Sequence, residues 1–163
     1  MRLFLFTFAL LVAPPILRAQ TPAQPAPIVS AAQLRALGDS LANGRGRTIQ
    51  LGGGAGLTWA VTHRDTIGGA ETHMAWTDIF VIQTGTATLV TGGFTVGAKE
   101  TTPGEWRGTV IQGGSSAALH PGDVVVIPAG TPHQMRLAAR ERITYLAFKV
   151  PATSPAPPAP RRP

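Results

Sequence analysis

The sequence predicts an all-β domain with one short helix at its N-terminal end, and three observations carry that prediction. From Arg47 onward, apolar residues recur with a period of two in about ten short runs, not with the 3.6 period of a helix. Turn residues separate the runs: 19 glycines and 15 prolines punctuate the 163 residues, and no helical pattern interrupts the series. Many short strands between frequent Gly and Pro turns build an antiparallel sandwich or barrel. A chain of this length has room for one such domain with a genuine core.

The ends do not belong to that domain. Arg2 precedes a largely apolar stretch, residues 3–13, followed by Pro14-Pro15 and then Arg18-Ala19-Gln20. Eleven residues are too few to span a bilayer, so residues 1–19 read as a secretory signal peptide cut after Ala19. The mature protein is then expected to be secreted or periplasmic, with no stable membrane anchor after cleavage. Residues 20–29, rich in Ala, Pro and Gln, read as a flexible spacer, residues 30–150 as the folded domain, and the Pro-rich residues 151–163 as a disordered tail.

Composition narrows the chemistry. There is no cysteine, so disulfides and a lipid-modified cysteine are excluded, and any metal must sit on histidine and carboxylate. The formal charge of +6 shrinks between Ser30 and Val150, where ten Arg or Lys stand against eight Asp or Glu for a net of +2. That balance does not make a nucleic-acid surface.

In chain order, Ser30 and Gln33 have the spacing of a capping box, Leu34, Leu37 and Leu41 share one helical face, and Asn43-Gly44 supply the stop. One short amphipathic helix should therefore pack on the sheet; it is too short to make a helix-turn-helix. Gly38 within it costs about 1 kcal/mol relative to alanine. Strands are expected over residues 47–51 and 57–64, then 71–75, 79–83 and 86–91. The polar, glycine-bearing stretch 97–109, with Glu105, Trp106 and Arg107, breaks the rhythm and reads either as a rim loop over a pocket or as a surface hairpin. Strands over 110–112, 116–119, 124–127, 133–137 and 142–150 complete the series.

Two β units carry metal-capable side chains. Residues two apart on a strand face the same way, about 6.6 Å apart, so Glu71 and His73 can point together. Asp78 lies five further on and would face away unless a turn intervenes near residues 75–77. Some fifty residues later, the stretch Gly122 to His133, GDVVVIPAGTPH, runs a strand into a turn of strong breakers and leaves it at a histidine.

The spacing Gly122, Pro128, Gly130, His133, paired with His73, Asp78, Gly85, closely resembles the two motifs of the cupin superfamily. The resemblance implies a double-stranded β-helix, the cupin jelly-roll barrel, in a single copy, and it supplies the turn between His73 and Asp78. By position, His73 matches the second histidine of the first motif, Asp78 its glutamate, and His133 the histidine of the second motif. Glu71 stands where the family has its first histidine, and Leu137 replaces the asparagine that often ends the second motif. The implied cofactor is one divalent metal on His73, His133, Asp78 and Glu71, resembling a two-histidine, carboxylate site for Fe, Mn, Ni or Zn. Two carboxylates would leave such a metal near neutral, which argues against decarboxylation of a dianion such as oxalate. Alternatively, Glu71 and Asp78 pair with an arginine such as Arg64 or Arg136.

Parity places Phe80 and Ile82 with Asp78, and Met135 and Leu137 with His133, as an apolar pocket wall or simply as barrel filling. His63, in parity with Trp59 and Val61, is a pocket candidate or a satisfied core imidazole; His120, before Pro121-Gly122, belongs to a solvated turn. Tyr145 and Trp106 are further candidates for polar or stacking contacts. Two functional classes follow: an exported metal-binding cupin that acts on or binds a small organic molecule, or a metal-free module for ligand binding or assembly. Resemblance also implies a homodimer through the exposed sheet.

Overall fold

The structure is a computed structural model that describes residues 25–44, 47–54 and 56–153. The expected signal peptide, the start of the spacer and residues 154–163 of the tail lie outside the described residues. Residues 25–29 enter the domain without helix or strand.

Helix α1 (Ala31–Ala42) is followed by strands β1 (Thr48–Gly54), β2 (Leu57–Arg64), β3 (Ala70–His73), β4 (Trp76–Gly85), β5 (Ala87–Thr91), β6 (Phe94–Val96), β7 (Lys99–Thr102), β8 (Glu105–Gly108), β9 (Val110–Gln112), β10 (Ser115–Leu119), β11 (Val124–Ile127), β12 (His133–Arg136) and β13 (Ile143–Pro151). All pairings are antiparallel. One sheet runs β1-β2-β13-β4-β11 and the facing sheet β10-β5-β12-β3-β8-β7, with β6 and β9 as a separate ribbon. The result is a jelly-roll β-sandwich with one short helix, as the sequence predicts. Among the described residues no helix is long and apolar enough to cross a membrane.

Alternation along each strand builds the core. On β4, Asp78, Phe80 and Ile82 are buried while Ile79 and Val81 between them are half-buried, so the inner face is read off by parity. Phe80 and Ile82 join Leu89, Leu119, Ile127, Met135, Leu137, Ile143 and Tyr145 in one cluster between the sheets. Burying a side chain of this kind contributes about 1.5–3 kcal/mol.

The helix closes the outer face of the first sheet. Ser30 Oγ accepts from the Gln33 amide and Gln33 Oε1 accepts from the Ser30 amide, which satisfies two donors that the helix start would otherwise leave open. Leu34, Leu37 and Leu41 pack on Trp59, Val61, Leu146 and Phe148. Gly38 faces β13 so closely that a Cβ there would lie 3.1 Å from Thr144 Cγ2.

Two features of the strands matter, the first being which of the two readings of 97–109 holds. The stretch 97–109 is a hairpin, β7 and β8, with β8 paired along the whole of β3, so it extends the second sheet rather than lying over it. Strand β13 continues to Pro151 opposite Trp76, and the Ala152 amide donates to the Ala75 carbonyl, so order passes the expected boundary at 150.

Candidate metal centre

Register brings the candidate residues together. Glu71 and His73 share the inner face of β3, His133 on β12 lies directly opposite Glu71, and Asp78 enters from the other sheet. The connection at Met74-Ala75 carries the chain from β3 to β4, which is how an odd offset of five still points Asp78 toward His73. The turn after β11 is tied to the same point, because the Gly130 amide donates to the His73 carbonyl. His73, Asp78 and His133 are 2%, 3% and 5% exposed.

Both imidazoles turn Nε2 inward. Asp78 Oδ2 lies 3.3 Å from His73 Nε2 and 3.4 Å from His133 Nε2, and Glu71 Oε2 lies 3.4 Å from His73 Nε2. On the far side, His73 Nδ1 donates to Glu105 Oε2 at 2.5 Å and His133 Nδ1 donates to the Thr131 carbonyl at 3.1 Å. Acceptors at both Nδ1 atoms fix the tautomer that leaves a lone pair on Nε2. One donor atom each from Glu71, His73 and His133 lies within 4.8 Å of the other two. His73 Nε2 is fully buried and has no hydrogen-bond partner. Nitrogen and carboxylate donors converging on an orphaned buried nitrogen fit a divalent metal of the Fe, Mn, Ni or Zn type.

Asp78 is divided between two roles, since its Oδ1 accepts from Lys149 Nζ at 2.8 Å. Glu71 has Arg107 Nη1 at 3.7 Å and Arg64 Nη2 at 3.8 Å. The alternative arginine pairing is seen at Glu71, with Arg64, but at Asp78 the cation is Lys149, and Arg136 instead donates to Gln134 Oε1 and the Ile111 carbonyl.

The charges hold one another. Burial raises the Glu71 carboxyl, but the His73 imidazole and the charges of Arg107, His133 and Arg64 outweigh it and bring it down to about 2. Burial lowers His73, yet Asp78 and Glu71 more than reverse this and lift it to about 9. Asp78 is held far below the usual carboxylate range, because His133, His73 and Lys149 overcome its burial.

A small cavity of about 20 Å³ adjoins this cluster, lined in part by Glu71, His133, Phe80 and Met135. Ile82 and Leu137, expected on the pocket wall, fill the core instead. His63 turns away: Trp59, Val61 and His63 share the helix-facing side of β2, where His63 Nδ1 bonds Thr144 Oγ1 at 2.8 Å. Burial lowers its pKa. Its neighbour Arg64 takes the inward parity and lines the cavity, as does Tyr145. Trp106 pairs with Thr72 and so lies on the opposite side of β8 from Glu105 and Arg107. His120 is exposed in its turn.

Sequence reasoning missed Glu105 and Lys149 as members of this cluster. Glu105 sits in the segment that broke the β rhythm, and that break was its one signal. Lys149 carries only a parity signal, two strand pairs from Tyr145 on the inner face of β13.

No protein-family model matches the sequence, and no curated protein matches it. Solved structures do. BH2720 from Bacillus halodurans is similar with a TM-score of 0.56, at 16% identity, over 81% of this chain and 86% of its own. A Cupin 2 conserved barrel domain protein from Salinispora arenicola gives a TM-score of 0.44 at 21% identity over 64% of this chain and 74% of its own. A cupin protein from Bacteroides fragilis gives 0.44 at 16% identity over 66% and 78%. At 16% identity the likeness to BH2720 is one of fold alone.

Proposed function

We propose that this chain is an exported cupin that binds one divalent metal through His73, His133 and Glu71, with Asp78 beside them, and that it binds or acts on a small organic molecule in the adjoining cavity. The observation that carries the reading is His73 Nε2, buried, without a hydrogen-bond partner and aimed at Glu71 and Asp78 while Glu105 holds the other ring nitrogen. A protein rarely leaves such an atom unpaired without a use for it. A metal bound there would act as a Lewis acid on an oxygen of the ligand. The chain's own residues would present two imidazole lone pairs, supply the neutralising carboxylate and shield the centre from water.

Elemental analysis of untagged protein tests this. Near-stoichiometric Fe, Mn, Ni or Zn is expected. Protein that stays metal-free, and whose melting temperature does not respond to added Mn²⁺ or Zn²⁺, would contradict it.

One observation favours the metal-free reading. His73 lies among three carboxylates, Glu71, Asp78 and Glu105, which suit an imidazolium as well as a metal. In that case the cluster is a buried ion network and the cavity a simple binding pocket. The export component rests on residues 1–19, and a mature protein whose mass begins at Gln20 is expected; an exported form retaining Met1 would remove it.

A further inference from the structure

Beside Glu71 and His133, the cavity is lined by Arg64, Tyr145, Phe80, Leu89 and Met135. We propose that this is the binding site for a small carboxylic acid, whose carboxylate docks on the Arg64 guanidinium while its short apolar body lies against Phe80, Leu89 and Met135. The assignment rests on reading the cavity as a ligand site, but not on the presence of the metal.

Arg64 is seated before any ligand arrives. Its Nε donates to Tyr145 Oη at 2.9 Å. The guanidinium lies over Gly68, where a Cβ would come within 2.8 Å of Nη1 and 3.3 Å of Cζ. Gly68 is itself fixed, its amide donating to the Met135 carbonyl at 3.0 Å and its carbonyl accepting from Gln134 Nε2 at 2.9 Å. Any side chain at this position would push the guanidinium off its seat. An arginine held by Tyr145 and Gly68 loses little freedom on binding, and its planar fork suits a carboxylate.

The donors of that fork are not used up. The nearest anion, Glu71 Oε1, is 3.8 Å from Nη2, too far for a hydrogen bond. Among the described residues, the bond to Tyr145 is the hydrogen bond that Arg64 makes.

Charge selects the ligand. Three carboxylates, Glu71, Asp78 and Glu105, are matched by three cations, Arg64, Arg107 and Lys149. Within that balanced set the Arg64 fork keeps open donors, which favour an anion over a neutral molecule. Size limits the ligand to the smallest acids, since about 20 Å³ is room for little more than a water molecule until the lining side chains shift.

Propionate is the probe, and propanamide, nearly isosteric and uncharged, is its control. Binding is followed by ligand-observed NMR on the full protein, with metal content measured on the same samples. Propionate is expected to bind at least tenfold more tightly than propanamide. Arg64→Gln should lose at least tenfold in propionate affinity, with Arg64→Lys and Gly68→Ala, which keep the positive charge but lose the fork or its seat, losing severalfold. Metal-free protein that still binds propionate through Arg64 would sustain this site while removing the metal reading. Absence of propionate binding, equal binding of propanamide, or unchanged binding in folded Arg64→Gln protein with full metal content would overturn it. If Arg64→Gln does not fold, unchanged propionate binding in both Arg64→Lys and Gly68→Ala would overturn it equally.

Discussion

His73 and Glu105 face each other across β3 and β8, and the imidazole Nδ1 donates to the Glu105 carboxylate at 2.5 Å. That contact aims Nε2 into the site and makes the ring a stronger donor. Glu105→Gln keeps an oxygen acceptor but removes the charge. Metal affinity, read by competition with a chromophoric chelator, is expected to fall roughly 10 to 100-fold with the circular dichroism spectrum unchanged. An unaltered affinity would show that the carboxylate has no part in tuning the imidazole.

Lys149 works in the opposite direction. Its ammonium takes one oxygen of Asp78 and sets a positive charge beside the imidazoles. Lys149→Met should free the carboxylate and raise metal affinity about tenfold, the equivalent of ~1.4 kcal/mol. The same change should lower the melting temperature of metal-free protein, because a buried carboxylate loses its nearest partner. If metal affinity and metal-free stability fall together, the lysine supports the site rather than competing with it.

The pH dependence follows from His73, lifted from 6.5 to about 9 in metal-free protein. A metal must displace that proton, so affinity should climb with pH up to about 9, by up to roughly tenfold per unit, and level off above. Glu71, brought down to about 2, stays ionised throughout that window. For stability the sign is reversed. A raised folded-state pKa contributes stability that is fully present below 6.5 and is lost as pH rises through about 9. Thermal melts of metal-free protein at pH 6 and pH 10 should show the higher value at pH 6, and a higher value at pH 10 would contradict the shift.

Local signals carried most of the fold. The strands over 57–64, 110–112 and 124–127 end where alternation and turn residues say they should, and the Ser30-Gln33 capping box marks the helix start. The inner face of β4 follows from simple parity. What parity could not supply was the choice of face on β2, where His63 and Arg64 are one residue apart and only tertiary packing decides which enters the cavity. His63 went to the helix side, against Thr144. The strands β6, β7 and β8 are short, polar or glycine-flanked, and owe their order to long-range pairing. Glu105 meets His73 across 32 residues of sequence, and Lys149 meets Asp78 across 71, distances over which no pattern in the chain signals contact.

The central claim is that both imidazoles jointly hold one divalent metal, and elemental analysis of three variants tests it most directly. His73→Ala and His133→Ala should each empty the site, since each removes an inward-facing Nε2 that lies 3.3 or 3.4 Å from the same Asp78 oxygen. His120→Ala, an exposed histidine in the turn before Gly122, should retain the metal content of the unaltered protein. Circular dichroism confirms that all three fold. Full metal occupancy in folded His73→Ala and His133→Ala proteins would contradict the account.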